Sequence, residues 1–222
     1  MDPGRFVRGL AQRGAEAGVD VVEEAEVLRL LTRGDVIDTV ETTRGAFRPR
    51  QVVLAAGSWS PGLAADLGVA APIQPAKGYS VTIEAPPDTP ELPLMFSDAR
   101  VAMTPMGADR VRFAGTLELA GMDLSINQRR VDAIVRAVPR YIPHWDPAAF
   151  QIHEVWRGLR PCTPDGLPLL GRPRRWRNAV IAAGHAMIGL SLGPVTGRIV
   201  SELVADETPQ LDLSLLSPDR FT

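Results

Sequence analysis

The chain has 222 residues, of which 45% are hydrophobic and 23% charged, with a formal net charge of −2. That composition is ordinary for a folded globular chain long enough to bury one large core or two small ones, and the charge gives no electrostatic case for a nucleic-acid partner. One cysteine, Cys162, excludes an intramolecular disulfide, three scattered histidines offer no metal-ligand spacing, and every apolar run falls well short of the roughly 20 residues that span a bilayer.

At the start, Asp2 is placed to cap a helix with Pro3 at its first position, and Phe6, Val7, Leu10 and Ala11 give it an apolar face that ends at Gly18. Val19 to Val22 reads as a short strand. Three apolar runs follow, Val27 to Leu31, Val36 to Val40 and Val52 to Ala56, divided by turn signals at Gly34-Asp35 and Arg44-Gly45. They predict a small antiparallel excursion that returns to a buried strand, after which Ser60-Pro61 opens a short helix ending near Gly68.

Prolines then crowd the sequence at Pro72, Pro75, Pro86, Pro87, Pro90 and Pro93. Tyr79 to Glu84 alternates as a half-buried strand, and Val101 to Pro105 and Arg110 to Thr116 are joined by the hairpin connection Met106-Gly107-Ala108-Asp109. Ser125 to Gln128 has the form of a capping box opening a helix to about Val138. This stretch predicts a domain built on an antiparallel sheet over residues 73–150, inserted in a second domain formed by 1–72 and 151–222. Near the end, Asn178 to Gly184 is a buried strand running into a glycine turn, and Pro194 is expected to begin a helix with Val195, Ile199, Val200 and Leu203 on one face.

Three segments carry chemistry. Val52-Val53-Leu54-Ala55-Ala56-Gly57-Ser58-Trp59-Ser60 is an apolar strand that ends at small residues. Trp156 to Gly171 contains Gly158-Leu159-Arg160-Pro161, and Ala183 to Pro194 contains Gly184-His185 and Gly189-Leu190-Ser191. Together they resemble the C-terminal signature of FAD-dependent amine and D-amino acid oxidoreductases, the D-amino acid dehydrogenase and glycine oxidase family. The Gly-x-Gly-x-x-Gly turn with which that family cradles the FAD pyrophosphate occurs nowhere in the chain.

The resemblance implies a mixed α/β fold, an incomplete FAD/NAD(P)-binding Rossmann-like domain carrying an inserted antiparallel-sheet substrate domain. It implies FAD as cofactor and oxidation of an amino acid or amine at its CH–NH group. Arg160 would clamp the substrate carboxylate through two parallel hydrogen bonds, against the alternative that it forms an ion pair with Asp165. Tyr79 would line the substrate cavity or, equally, pack as a strand aromatic. Val27 would touch the adenine through backbone groups, Ala56 and Gly57 would pass close to the nucleotide, and Gly184, His185, Gly189, Leu190 and Ser191 would approach the flavin, with His185 either in contact or orienting its turn. Arg157 alternates away from Arg160 and reads as structural; Cys162 has no adjacent histidine and reads as a small packed residue.

The chain is expected to be the C-terminal part of a longer flavoenzyme, active when a partner chain or a fusion supplies the N-terminal FAD-binding part. A non-catalytic remnant and a small carboxylate-binding module stand as alternatives, and a homodimer through bare apolar surface is open. A cytoplasmic location is expected, with peripheral contact at the inner face of the membrane left open.

Overall fold

The computed structural model describes Asp2–Phe221 and divides the chain into two compact units, one made of residues 1–74 and 161–222, the other of 75–160. The first unit opens with helix α1 (Pro3–Glu16), capped by Asp2, whose Oδ1 accepts the Arg5 amide at 3.1 Å, and closed at Gly18 with φ +92°. Val19 to Val22 forms no strand. These valines are largely exposed, and among the described residues no neighbouring strand pairs with them.

Strands β1 (Val27–Arg33), β2 (Val36–Thr42) and β3 (Gly45–Phe47) make an antiparallel sheet turned at Gly34-Asp35, where Gly34 takes φ +66°. Strand β4 (Val52–Leu54) belongs to a different sheet and leads through Gly57 into helix α2 (Ser60–Asp66), which Gly68 terminates at φ +64°.

The second unit is a five-stranded sheet of order β6-β7-β8-β5-β9, with β5 (Gln74–Glu84), β6 (Leu94–Phe96), β7 (Val101–Pro105), β8 (Arg110–Glu118) and β9 (Ile152–Cys162). Helix α3 (Gln128–Ala137) packs on β8. Tyr79, Val81, Ile83, Met103, Val111 and Phe113 meet Val131, Ile134 and Trp145 in its core. Three expectations give way here. Strand β5 lies between β8 and β9 and is buried along both faces from Pro75 to Ile83, not on one. The N-cap of α3 is Asn127, without a side-chain bond, because the Ser125 hydroxyl is engaged by Asp123 at 2.7 Å. The unit extends to Arg160, past the return expected at residue 151, since β9 is its fifth strand.

Back in the first unit, β10 (Leu169–Gly171) pairs antiparallel with β11 (Ala179–Ala183), and β11 pairs parallel with β4 in the register Val52↔Ala179, Leu54↔Ile181. Leu30, Ile37, Leu54, Leu67, Leu169, Trp176 and Ile181 form its core. The Asn178 side chain ties the two sheets by accepting the Ile37 amide at 2.8 Å and donating to the Ile37 carbonyl at 2.9 Å. Helix α4 spans Gly189–Val204, so it starts five residues before Pro194. Pro194 lies inside it and leaves the Leu190 carbonyl without its usual intrahelical donor. Among the described residues no helix is long and apolar enough to cross a membrane.

Candidate active site

In the second unit the Arg160 side chain lies on one face of the sheet, and two backbone features of neighbouring strands shape its position. An ideal β-carbon at position 78 would fall 2.5 Å from the guanidinium carbon, so the guanidinium rests where a side chain at Gly78 would be. Arg160 Nη1 donates to the Thr116 carbonyl at 3.2 Å. Among the described residues Arg160 has no carboxylate within ion-pair distance. Asp165, its alternative partner, is instead held by Arg220, with Nε to Oδ2 at 2.8 Å and Nη2 to Oδ1 at 3.1 Å. The Arg220 guanidinium keeps the Asp165 carboxyl down at about 2.

The pairing of β5 with β8 slips by one residue beside Gly78. Tyr79 faces Gly115 whereas Lys77 faces Glu118, so β8 carries an extra residue across Thr116 and Leu117. Thr116 has φ +70°, a left-handed conformation that a β-branched residue rarely adopts. The bulge reverses the alternation of β8. Phe113 and Gly115 face the core before it, and after it Glu118 faces the core side, accepting the Tyr79 hydroxyl at 2.7 Å.

Tyr79 therefore does not share a face with Arg160. It is 1% exposed, packed in the core, with its hydroxyl donating to Glu118 and accepting the Asn127 amide at 3.2 Å. The reading of Tyr79 as a cavity wall gives way to the packed aromatic, because successive residues of a strand point to opposite faces. Lys77, also 1% exposed, completes this buried polar group: its ammonium reaches Asp123 at 2.8 Å and the Ser125 carbonyl at 2.9 Å, with Glu118 at 3.8 Å. Asp123 raises the Lys77 pKa, and the Tyr79 hydroxyl lowers that of Glu118. Arg157 anchors the loop before α3 by donating to the Leu124 carbonyl at 2.8 Å, the structural role expected of it. Trp156 lies along Gly158, where a β-carbon would come within 2.7 Å of its ring.

In the first unit, the parallel register of β4 and β11 brings Ala56-Gly57 and Ala183-Gly184 to the same edge, the carboxyl ends of the strands. Gly57 takes φ +54° with open space at its β-carbon direction. Beside it the hydroxyls of Ser58 and Ser60 are buried and have no hydrogen-bond partner among the described residues. Gly184 takes φ +83°, and a β-carbon there would lie 2.7 Å from the Thr163 methyl. His185 pairs with Thr196 Oγ1 at 3.0 Å, and burial lowers its pKa, keeping the imidazole neutral near pH 7.

Helix α4 follows with Ile188 as N-cap and no side-chain cap. The first amides, those of Gly189, Leu190 and Ser191, have no intrahelical acceptor and sit at the positive end of the helix dipole. Val27 is paired with Thr42 at the start of β1, and the neighbouring Glu26 amide and carbonyl are engaged by Thr43.

This edge fits a large flat cofactor with hydrogen-bonding rims. It offers uncapped helix amides, two orphaned buried hydroxyls, glycines at Gly57 and Gly189, and exposed apolar side chains in Met187, Ile188 and Leu190. Sequence reasoning missed Gly78, Thr116 and the orphaned serines. Gly78 lies inside β5, where a glycine marks close approach to the backbone, but the strand expected from the sequence began one residue later, at Tyr79.

The sequence profile of the FAD dependent oxidoreductase family, DAO, matches residues 1–203. The chain is 38% identical over 225 residues to the D-amino acid dehydrogenase of Paramagnetospirillum magneticum, covering 100% of this chain and 52% of that protein. It is 35% identical to the D-amino acid dehydrogenase of Granulibacter bethesdensis, over 97% of this chain and 51% of that one. Among solved structures, the glycine oxidase of Geobacillus kaustophilus superposes with a TM-score of 0.88 at 29% identity, covering 96% of this chain and 56% of the other. The chain thus spans about half the length of the curated relatives it matches. It belongs to the DAO family of FAD-dependent oxidoreductases.

Proposed function

We propose that the chain provides the substrate-carboxylate clamp and part of the cofactor site of a D-amino acid dehydrogenase-like enzyme, which oxidises the CH–NH group of an amino acid to an imine. The observation that carries this reading is Arg160: its guanidinium is fixed by Thr116 while its alternative partner, Asp165, is engaged by Arg220. Nη2 and Nε of Arg160 have no partner among the described residues. They are suited to two parallel hydrogen bonds to a carboxylate, which orient a substrate as well as bind it.

FAD, when bound, supplies acceptance of a hydride from the substrate carbon. The uncapped amides of Gly189, Leu190 and Ser191 would hold a cofactor edge that gains negative charge. Gly57 and Gly184 would let its rings approach the strand ends. His185, neutral and bonded to Thr196, would orient the turn between β11 and α4. No residue among these is assigned the role of an acid or base.

The activity, in this proposal, requires the half of the relatives' length that the chain does not span, supplied on a second chain or by fusion. The names of the relatives favour an amino acid with D configuration as the substrate. The test is Arg160→Met in the flavin-loaded, complemented enzyme. Amino acid oxidation should lose roughly 2 to 5 kcal/mol in kcat/KM while flavin stays bound, and unchanged activity would show that Arg160 is not the clamp.

A further inference from the structure

We propose that Gly78 and the Thr116–Leu117 bulge are positioning residues for Arg160, together forming a seat that holds the guanidinium flat on β5 with one edge free. This rests on the carboxylate reading given above, and concerns how the clamp is aimed. Three observations converge on one spot. The guanidinium carbon and Nη2 both fall 2.5 Å from where a β-carbon of residue 78 would stand. Among the described residues the guanidinium makes one hydrogen bond, from Nη1 to the Thr116 carbonyl. That carbonyl belongs to a residue in a left-handed conformation, at φ +70°, within a register slip directly opposite Gly78.

Each feature has a local cost that the fold alone does not require. Glycine in a strand interior weakens the strand, and a β-branched residue at positive φ is strained. An uninterrupted β8 would keep the alternation of Val111, Phe113 and Gly115 and would turn position 116 to the other face in ordinary extended geometry. The bulge instead turns the Thr116 carbonyl to Nη1, and Gly78 clears the volume that the guanidinium fills. Strained or weakened backbone of this kind persists where a functional group must be placed.

The three atoms nearest a methyl group at position 78 all belong to the far end of the flexible Arg160 side chain. Arg160 can swing away, so the fold should survive Gly78→Ala while the clamp loses its aim. The first readout needs no cofactor: the Nε–Hε signal of Arg160 in a nitrogen-15 spectrum of the 222-residue chain, identified by its loss in Arg160→Lys. In Gly78→Ala this signal should move to the position of exposed arginines, with the unfolding midpoint within about 2 °C of the parent. Thr116→Gly keeps the carbonyl and relieves the strain, so it should leave the signal in place and raise the midpoint by a few degrees.

In the flavin-loaded, complemented enzyme, Gly78→Ala should raise KM for the amino acid on the order of 10-fold or more with a smaller change in kcat. An Arg160 signal that stays in place in Gly78→Ala would overturn the seat. So would a signal that moves in Thr116→Gly with the fold intact, because the carbonyl would then not be what holds the guanidinium. A signal that moves in Gly78→Ala with KM unchanged would leave the seat standing and would overturn the carboxylate reading instead.

Discussion

The two units differ in how much of their apolar surface they cover. In the second unit β5, β7 and β8 present Val81, Met103, Val111 and Phe113 to α3 and Trp145, and these side chains are fully or almost fully buried. In the first unit α1 has no buried residue, leaving Phe6, Val7 and Leu10 open, and α4 buries only Ile199 along its 16 residues. The sheet core of the first unit is nevertheless dense, from Leu30 to Trp176. The contrast separates a unit whose core is covered by its own helix and loops, the one that carries Arg160, from a unit whose helices α1 and α4 carry apolar faces without cover. Those faces are where, in our proposal, the other half of the relatives' length would pack.

Truncations in the two regions should break or sharpen this comparison. The largest effect is expected from Phe113→Ala, which should cost about 3–5 kcal/mol through loss of apolar burial and the cavity left behind; denaturant unfolding followed by circular dichroism measures it. A cost near 1 kcal/mol would mean that the second core is loosely packed.

Next in size is Asp123→Ala. It leaves the buried Lys77 ammonium with the Ser125 carbonyl and a carboxylate at 3.8 Å. Because Asp123 itself is half exposed, the loss should be about 1–3 kcal/mol, below that of a fully buried pair. The same unfolding curves report it.

A smaller effect, in the first unit, depends on pH. The Arg220 guanidinium holds the Asp165 carboxyl below the usual carboxylate range, down at about 2. A depressed carboxylate contributes stability above its unfolded pKa and loses it as pH falls through the folded value. Asp165→Asn should therefore flatten the part of the acid transition between about pH 4 and pH 2 in stepped-pH unfolding. His185 works in the other direction of charge: burial disfavours its cation, so stability should fall as pH drops below the unfolded value of about 6.5.

The smallest effect is Leu10→Ala on the open face of α1, expected within about 0.5 kcal/mol. A large loss there would show that α1 is packed, and the comparison between the units would fail.

How far the sequence disclosed this arrangement differs by residue. Gly158-Leu159-Arg160-Pro161 singled out Arg160 through the family resemblance, with a carboxylate clamp and an ion pair to the nearby Asp165 as the two readings. That Asp165 is engaged by Arg220, 55 residues further along the chain, lies beyond any local pattern. Tyr79 was left between two readings for a related reason. Alternation fixes that Gly78 and Tyr79 oppose each other, but which of the two faces Arg160 depends on how β5 and β9 lie together in the sheet.

The bulge at Thr116 was illegible because threonine, unlike glycine, gives no warning of positive φ. At α4 the proline rule pointed to Pro194 as a first helical residue, whereas the helix tolerates it internally and begins at Gly189. That shift matters, since it moves the free amides onto Gly189, Leu190 and Ser191, the residues that the family resemblance had marked. Asp2, Gly18, Gly34 and Gly68 were readable in advance, because caps and tight turns are set by a few adjacent residues.

The most direct test of the central claim is the visible absorption spectrum after incubation with FAD and removal of free ligand. It would be recorded for the chain alone and for the chain mixed with the N-terminal half of the Paramagnetospirillum magneticum relative. The account predicts a colourless chain alone, and with the added half a retained flavin spectrum that bleaches anaerobically on addition of a D-amino acid. A chain that alone retains flavin and bleaches would contradict the need for a second half, and a mixture that stays colourless would contradict the cofactor assignment itself.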